Sequence, residues 1–565
     1  MSVRPGSWRA GLVTALDAVA VRRALWWATV VWVVVFWRLG DLSLLDPDEA
    51  HYAEITREMI AARQWLMPLL GGEPFIDKPV VFHWLQAAAF AVFGPAEIGA
   101  RMPSALAAVG LFALTRWTGR VLFDDGETGA DAELMLATLP LTFALASLGI
   151  FDMVFTLALF GALACLAVAA VRARPRLQWA GFGLLALATT IKGPVALGLA
   201  GLAFVLAVAV SREARRRLQT LHWLAGPLLA VVAASPWFVW MWIRFGDAFV
   251  DQYFVHGNVW YLTHPGRRRT EHLFYLRALL TACLPWSLLV VGRAIDWLVA
   301  LRRRTATMDV PETLAWAWIV AVFGLFSVSR FKLDYYIYPA MPAMCLLAAR
   351  AWRAAGDRDA ITNTNTWQRV GVVAMPALLI GFSVVFGLTM FSLDLRLSPF
   401  AVVAPIATGL AGLALAREVW REGFRPPAAI TSVLAAMLIL FGSVGVFGFP
   451  VLERSRPTPA VARWIHDHVD PAEPIGLFKQ ARWQASLRFY SMRQVKLLES
   501  QSALRLFLAG GPGRHVVMLQ DDFQQLVALG DPVEVVFRRE AVTGTTGSGL
   551  RRQRWRHVVV VAPTR

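Results

Sequence analysis

The stretch from Asp152 to Ala170 reads DMVFTLALFGALACLAVAA, and Asp152 is its only charged residue. A helix of this length and composition is long enough to cross the hydrocarbon core of a bilayer. Apolar runs of roughly 17–25 residues recur between Ala24 and Pro450. Of the 565 residues 57% are hydrophobic, with a mean hydropathy of +0.53, above the roughly 45–50% typical of soluble domains. The sequence therefore predicts a polytopic α-helical membrane protein.

About thirteen segments meet this description. The predicted spans are 24–40, 101–122, 134–149, 152–170, 178–191, 194–210, 222–243, 272–299, 313–329, 334–351, 368–391, 398–416 and 428–449. The segment 80–94 is shorter and carries His83, Trp84 and Gln86. We predict that it is interfacial or re-entrant and does not span the membrane.

The net charge of +16 does not indicate a nucleic-acid partner, because the arginines cluster in short loops between apolar runs. If the basic N-terminus is a cytoplasmic, uncleaved signal anchor, every cytoplasmic loop is basic, as the positive-inside rule requires. These loops hold Arg116 and Arg120, Arg172–Arg176, Arg212–Arg217, Arg302–Arg304, Arg350–Arg358 and Arg417–Arg425. The odd number of spans then predicts an inner-membrane protein whose C-terminus lies in the periplasm.

Two domains are predicted. Residues 1–450 form the transmembrane domain, with a first periplasmic loop at about 41–100 that contains interfacial helices, and residues 451–565 form a periplasmic α/β domain. Its predicted strands are Pro474–Phe478, Val495–Leu498, His515–Leu519, Val533–Phe537 and His557–Val561, and its predicted helices are Ala481–Tyr490, Ala503–Ala509 and Asp522–Leu529. The three cysteines lie inside predicted spans and form neither a disulfide framework nor a metal motif.

The first outer loop begins with LLDPDEAHYAEITREM, in which Asp48 and Glu49 precede a helical pattern. An acidic residue here is often only a helix cap, and Asp46 or Asp48 fits that interpretation. The pair also lies just outside a membrane span, beside His51 and Tyr52, where carboxylates are expensive unless they are solvated or used. We therefore predict Asp48 and Glu49 as catalytic candidates.

Further along the same loop, Asp77, Lys78 and Pro79 introduce the short apolar segment. Lys78 either anchors the chain at the interface by snorkelling or neutralises a phosphate. Trp65, Phe82 and Trp84 are candidates for an interfacial aromatic belt. An ionisable group at a membrane boundary is a functional candidate, which brings Asp152 and Lys192 into the predicted site.

Two more outer segments are rich in polar residues. The segment SRFKLDYYIYPAMP supplies Lys332, Tyr335 and Tyr336. The loop YFVHGNVWYLTHPGRRRT supplies His256, Asn258 and Arg267–Arg269, a triplet that breaks the positive-inside pattern and fits an anionic headgroup. By parity of the spans, all of these residues lie on one face of the membrane.

The motifs DEAHYAEITREM, DKPVVFHWL, Asp152, IKGPVAL and SRFKLDYYIYPAMP occur in this order over about residues 40–350. In order and spacing the chain resembles the GT-C bacterial glycosyltransferases related to the aminoarabinose transferases of lipid A and to protein O-mannosyltransferases. The resemblance implies a polyprenyl-phosphate sugar donor, undecaprenyl phosphate being the expected carrier, and an active site at the outer membrane surface.

The resemblance also implies roles for single residues. Asp48 matches the acidic residue of the first outer loop that is taken as catalytic, Asp152 matches the second acidic position, and Lys78 matches the basic residue near the donor phosphate. The family often has Arg at the position of His51 and Glu at that of Asp77. Its usual Arg after the motif at Asn258 is also missing, since Trp260 and Tyr261 stand there.

The predicted reaction is transfer of the sugar with inversion, because the acceptor attacks the anomeric carbon opposite the phosphate. Cleavage leaves charge on the phosphate, which basic groups stabilise. These are Lys78, Lys192, Lys332 and Arg267, Arg268 and Arg269. The predicted substrate contacts are His51, Tyr52, His83, Asn258, Tyr335 and Tyr336. Asp48 acts as base if the acceptor is a hydroxyl and as a positioning group if it is a lipid A phosphate.

Several alternatives remain open from the residues alone. Asp77 and His256 form a partial set for a divalent cation. The acceptor is a lipid A component, a protein hydroxyl or another glycan. A lipid or solute transporter would place its charges at the bilayer midplane in repeated halves, whereas here they lie at span ends. A non-catalytic scaffold is a third class. A monomer is expected.

Overall fold

The structure is a computed structural model that describes residues 25–259, 273–303, 308–356, 366–392, 399–420, 426–454, 456–544 and 553–564. Most of it is helical. The helices of the first half are α1 (Leu25–Phe36), α2 (Asp48–Ala62), α3 (Val81–Phe93), α4 (Glu97–Leu122), α5 (Gly126–Ala137), α6 (Pro140–Ala146), α7 (Asp152–Val171), α8 (Leu177–Lys192), α9 (Val195–Val210), α10 (Arg212–Leu218), α11 (Ala225–Phe245) and α12, a π-helix (Val250–Val259) preceded by the turn Asp247–Phe249.

The second half continues the helical bundle and adds an α/β unit. Its helices are α13 (Phe274–Ala282), α14 (Ser287–Arg302), α15 (Val310–Val328), the 3-10 segment Asp334–Ala340, α16 (Met341–Gly356), α17 (Thr366–Ser392), α18 (Pro399–Trp420), α19 (Pro426–Ser443) with its continuation through Val444–Gly448 and Phe449–Arg454, α20 (Thr458–His468), the 3-10 turn Ala481–Trp483, α21 (Gln484–Ser491), α22 (Gln501–Leu508) and α23 (Gln520–Ala528).

Seven helices within the described ranges are long and apolar enough to cross a membrane, and a bent pair raises this to eight. They include α4, α7, α11 and α15, and the long apolar parts of α17, α18 and α19 with its continuation. The most apolar window of α7 is also the most buried of the seven, which fits its lack of a polar face. The chain is therefore a polytopic helical membrane protein.

Three predicted spans are broken. The predicted span 134–149 is two helices, α5 and α6, that meet at 68°, and Pro140 begins the second helix. The predicted span 272–299 divides into α13 and α14 around Pro285, and 334–351 begins as the 3-10 segment before α16. Proline lacks a backbone N–H and clashes with the preceding turn, so it starts a helix more readily than it continues one.

Helix α3 has 13 residues, which gives it a length of about 20 Å against a hydrocarbon core of about 30 Å. That 80–94 does not span the membrane stays a prediction. Together with α2 and the two-stranded hairpin of β1 (Leu69–Leu70) and β2 (Glu73–Pro74), α3 forms the segment between α1 and α4.

The C-terminal unit is a five-stranded sheet with the order β4-β3-β5-β7-β6. Its strands are β3 (Ile475–Phe478), β4 (Val495–Leu498), β5 (His515–Leu519), β6 (Val533–Gly544) and β7 (Gln553–Pro563). β3 runs parallel to β4 and β5, and β7 runs antiparallel to β5 and β6. The predicted strands and helices are confirmed here, although β6 and β7 are longer than expected. Buried side chains fill both faces of the sheet.

Candidate active site

Asp48 is the first residue of α2, and it does not cap that helix. The N-cap is Pro47, without a side-chain capping bond, so the capping interpretation of Asp48 is wrong. Its Oδ2 instead accepts a hydrogen bond from the Tyr335 hydroxyl at 3.3 Å. Desolvation raises the pKa of Asp48, and the hydrogen bond from Tyr335 and the nearby His51 oppose that rise. The carboxylate therefore faces partners outside its own helix.

Asp152 and Lys192 form an ion pair at the ends of two helices. Asp152 begins α7 and Lys192 ends α8, and Oδ1 lies 2.5 Å from Nζ. Their side chains are only 5% and 10% exposed. The ammonium also lies 5.0–5.2 Å from the ring centres of Phe151, Phe155 and Tyr336, where ring quadrupoles attract a cation.

Asp77 and Lys78 form a second pair, in which Oδ2 and Nζ are 3.1 Å apart. The charge of Asp77 also acts on Tyr52 of α2. Burial and the charges of Asp77, Asp48 and Asp152, in that order, raise the pKa of Tyr52 well above its ordinary value. The charges of three carboxylates from separate motifs therefore all act on the pKa of one hydroxyl.

Gly193 and Tyr253 close this group on the side of α8. Gly193 follows Lys192 with φ +105°, and a Cβ there would collide with the Tyr253 hydroxyl. Glycine is the residue that adopts this conformation without strain. Burial and then the charge of Asp77 raise the pKa of Tyr253. A side chain at Gly257 would place its Cβ 3.3 Å from Oδ1 of Asp77.

Glu49 has a different role from the catalytic one predicted. Its side chain is 1% exposed and binds Arg101 through both oxygens, at 2.7 and 3.0 Å. The same oxygens accept the N–H groups of Leu45 and Gly149 at 2.8 Å. A carboxylate with every side occupied cannot bind substrate. Glu49 instead joins the segment before Asp48 to the turn before Asp152.

Lys332 also differs from its predicted role. Its Nζ donates to the carbonyls of Phe326, Ser327 and Ser329 at 3.2, 2.6 and 2.6 Å. These carbonyls lie in the last turn of α15 and at its C-cap. Lysines commonly satisfy helix C-termini in this way. Lys332 is therefore bound by its own helix end, while Tyr335 and Tyr336 from the same motif reach Asp48 and Lys192.

His83 belongs to the protein core rather than to a substrate surface. It is 1% exposed, and its Nδ1 lies 2.8 Å from the Thr56 hydroxyl, which also donates to Gln86 at 2.5 Å. This buried network joins α2 to α3. Phe82 is likewise 1% exposed, so it is not part of the predicted aromatic belt.

The two exposed tryptophans of that belt are joined by a hydrogen bond. Nε1 of Trp84 donates to the carbonyl of Trp65 at 2.6 Å.

His51 lies at the start of α2 with Nδ1 2.8 Å from the Pro47 carbonyl. Its ring is therefore held against the turn that precedes Asp48. Its predicted contact with substrate stays a prediction.

The pair predicted to share a cation is divided. His256 lies 3.3 Å from the carboxylate of Asp251, whereas Asp77 pairs with Lys78. Over the described ranges, there is no group of three or more His, Cys, Asp or Glu side chains arranged to hold a metal ion. Arg267, Arg268 and Arg269 lie outside the described residues, and so does the side chain of Asn258.

Two residues around the site, Arg101 and Tyr253, were not predicted from the sequence. Arg101 is a charged residue at the start of an apolar run and is 2% exposed, and a charge at that depth is itself a signal. Tyr253 gives no such signal, because an aromatic residue in a loop is common and its proximity to Gly193 is a tertiary contact.

Several known proteins are similar to this chain. Residues 77–240 match a family model described as dolichyl-phosphate-mannose-protein mannosyltransferase. The undecaprenyl phosphate-alpha-4-amino-4-deoxy-L-arabinose arabinosyl transferase of Edwardsiella ictaluri is 28% identical over 63% of this chain and 65% of its own length. The enzyme of that name from Aeromonas salmonicida is 29% identical over 58% and 59%. The alignments thus span less than two thirds of these relatives.

An uncharacterised protein of Aquifex aeolicus is 24% identical over 82% of this chain and 86% of its own length. The crystal structure of ArnT from Cupriavidus metallidurans bound to undecaprenyl phosphate superposes with a TM-score of 0.70, with 98% of each chain covered and 23% identity. The two proteins share a fold. The resemblance to GT-C glycosyltransferases of the aminoarabinose transferase type, predicted from the motif order, is confirmed.

Proposed function

We propose that this chain is an inverting membrane glycosyltransferase that moves a sugar from undecaprenyl phosphate to a lipid A or lipopolysaccharide component, with a sugar of the 4-amino-4-deoxy-L-arabinose type. One set of contacts carries the proposal. Tyr335 binds Asp48, and its neighbour Tyr336 lies against Lys192, which pairs with Asp152. A second carboxylate–lysine pair, Asp77 with Lys78, comes from the same outer loop as Asp48. The names of the relatives support the donor and the sugar.

The donor phosphate is assigned to the basic side of this group. Breaking the bond between the anomeric carbon and the phosphate oxygen leaves the electron pair on the phosphate. Lys78 is 18% exposed and is the more accessible of the two lysines, so it contacts the phosphate. Lys192 is held by Asp152 and three aromatic rings, and it adds a fixed positive charge that needs no reorganisation during the reaction.

Asp48 is assigned to the acceptor. An acceptor hydroxyl forms the new bond to the anomeric carbon and gives its proton to Asp48, whose raised pKa suits a general base. An acceptor phosphate is already anionic and needs no base, so Asp48 would then orient the acceptor or the sugar amine. Tyr335 holds the carboxylate in position in either case.

The topology proposed with this function has thirteen spans, with the N-terminus in the cytoplasm and the site in the periplasm of the inner membrane. The domains are 1–450 and 451–565, the second also periplasmic. The positive-inside pattern supports the orientation. Asp48, Asp152 and Lys192 lie at helix ends. This position supports an enzyme rather than a transporter, because a transporter site would lie within broken helices near the midplane.

A protein O-mannosyltransferase-like activity is the second candidate, and the family match over 77–240 favours it. The two differ in the acceptor. The test is to incubate the purified protein in lipid nanodiscs with undecaprenyl-phosphate-linked aminoarabinose and either lipid A or a Ser/Thr-rich peptide. Donor loss and acceptor mass are followed by mass spectrometry, with Asp48→Asn as the control.

We expect lipid A to gain one aminoarabinose residue with the wild-type protein and none with Asp48→Asn. Modification of the peptide alone would favour the second candidate. An unchanged donor with both acceptors would overturn the proposal. Loss of the same modification from lipid A in a deletion strain provides the matching test in cells.

A further inference from the structure

The segment that leads to Asp48 is held by residues from the far end of the chain. Nη1 of Arg456 donates to the carbonyl of Ser43 at 2.5 Å and to that of Leu44 at 2.7 Å. The N–H of Ser43 donates to Glu453 at 2.9 Å. The carbonyl of Ser43 also accepts from Arg101 at 3.3 Å, so two arginines meet on one peptide group.

Tyr490 in α21 forms a second contact. Its hydroxyl accepts the N–H of Leu44 at 2.7 Å and donates to Oε1 of Glu97 at 2.8 Å. It therefore bridges the segment before Asp48 to the first turn of α4. The ring of Phe489, beside it, packs against Phe90 at a centroid distance of 6.3 Å.

Beside these polar contacts, the region around Asp48 and the C-terminal unit share a small apolar core. Leu44, Ala50 and Ala53 are buried together with Ala485 and Phe489 from the C-terminal unit. The unit reaches the hairpin as well, since Arg488 lies 3.9 Å from Glu58. Glu58 accepts the N–H groups of two hairpin glycines, Gly71 and Gly72, both at 2.8 Å.

We propose that Arg456 and Tyr490 are positioning residues that fix the segment 43–49, and through it the carboxylate of Asp48. This inference rests on the proposed function of Asp48. Arg456 binds the main-chain carbonyls four and five residues before Asp48. Among the described residues, no hydrogen bond or ion pair joins it to Asp48, Asp77 or Asp152. Its effect must therefore pass through the backbone. A shift of about 1 Å in a catalytic group can cost on the order of 10²-fold in rate.

The experiment compares Arg456→Ala, Arg456→Lys and Tyr490→Phe with the matched control Arg463→Ala. Arg463 is exposed, and its one side-chain hydrogen bond within the described part of the chain is to the carbonyl of Pro459 in its own helix. Donor turnover gives kcat and KM, and hydrogen exchange of the full-length protein in nanodiscs reports on the amides of 43–49 and of strands β3 and β5.

We expect Arg456→Ala to lower kcat about 10- to 100-fold while KM for the donor changes less than about twofold, because the donor side keeps its contacts. Exchange in 43–49 should accelerate about tenfold or more, with β3 and β5 unchanged. Arg456→Lys should restore part of the rate. Tyr490→Phe should show a smaller fall in kcat, and Arg463→Ala none.

Unchanged exchange in 43–49, or faster exchange with an unchanged kcat, would overturn the inference. So would a loss of protection in β3 and β5 that accompanies every fall in kcat, because this would mean that the unit has unfolded. If the wild-type protein transfers no sugar, the proposed function fails. The exchange data then still report whether Arg456 fixes the segment.

Discussion

The carboxylate of Asp152 and the ammonium of Lys192 lie 2.5 Å apart, the first at the start of α7 and the second at the end of α8. Breaking a buried ion pair costs about 3–5 kcal/mol, since the remaining charge is left without a partner. Lys192→Met should therefore lower the melting temperature of the purified protein strongly. The double variant Asp152→Asn/Lys192→Met should recover most of that stability but no activity. Equal losses in the single and double variants would contradict the pairing.

Asp48→Asn should reduce transfer by about 10²- to 10⁴-fold, as removal of a general base does, while the protein still inserts and melts normally. Tyr335→Phe removes only the hydroxyl at 3.3 Å, and we expect a fall of about tenfold or less. Turnover of donor with lipid A is the measurement. A wild-type rate in Asp48→Asn would exclude this aspartate from the reaction.

Lys78→Ala should weaken binding of undecaprenyl phosphate by about 10- to 100-fold, because it removes a charged hydrogen-bond donor to the phosphate. Lys332→Ala is the matched control, since Lys332 is bound by three carbonyls at the end of α15, and its donor affinity should stay close to that of the wild type. Titration of both variants in nanodiscs measures this. Equal affinities for Lys78→Ala and the wild type would favour an interfacial anchor.

Glu49→Gln and Arg101→Met should destabilise the protein by about 3–5 kcal/mol each. Replacing both residues of the Asp152–Lys192 pair should restore most of the stability. Replacing both Glu49 and Arg101 by apolar residues should not. Arg101 also donates to the carbonyls of Leu39, Leu42 and Ser43, and each of these carbonyls would lose that bond, although Ser43 keeps the one from Arg456. Limited proteolysis between α1 and α2 measures the effect, and full stability of the double variant would contradict it.

The raised pKa of Asp46 predicts that the free energy of unfolding depends on pH. Burial raises its pKa to about 6 from 3.8, against opposing contributions from Ser486, Arg456 and others. The folded protein therefore binds this proton more tightly than the unfolded chain. The cost of the charged form is fully present above pH 6 and is relieved as the pH falls from 6 towards 4.

Asp46→Asn lacks this titration and serves as the reference. Its melting temperature should exceed that of the wild type at pH 7.5, and the difference should shrink by pH 5. The comparison with Asn removes the effects of other groups that titrate in this range. A difference that does not change with pH would show that Asp46 is not desolvated in the folded protein.

The helical membrane fold could be predicted because apolar runs of sufficient length have few alternatives. The strands of the C-terminal unit were also predictable from short β-branched runs such as His515–Leu519. The breaks inside predicted spans were not, since hydropathy does not report a bend. Pro140 and Pro285 mark two of them, and helix-breaking residues are tolerated within membrane helices.

The candidate site was predictable where an ionisable residue stands at the end of an apolar span, as at Asp152 and Lys192, because such a residue is costly there unless it is used. It was not predictable where the partner is distant in sequence. Glu49 differs in role from Asp48 only because it meets Arg101, 52 residues further along the chain. In the sequence, Lys332 has the same setting as Lys78 and Lys192, and only the structure shows that backbone carbonyls bind it. Sequence spacing identifies a shared face of the membrane, and tertiary contacts decide which groups remain available.

The N–H of Ser43 binds a carboxylate 410 residues later in the chain. The ribosome needs roughly 20–80 s to add those residues at about 5–20 per second. During that time the turn before Asp48 lacks this partner. On the proposed function, we therefore expect a chain that ends before Glu453 to be inactive in transfer.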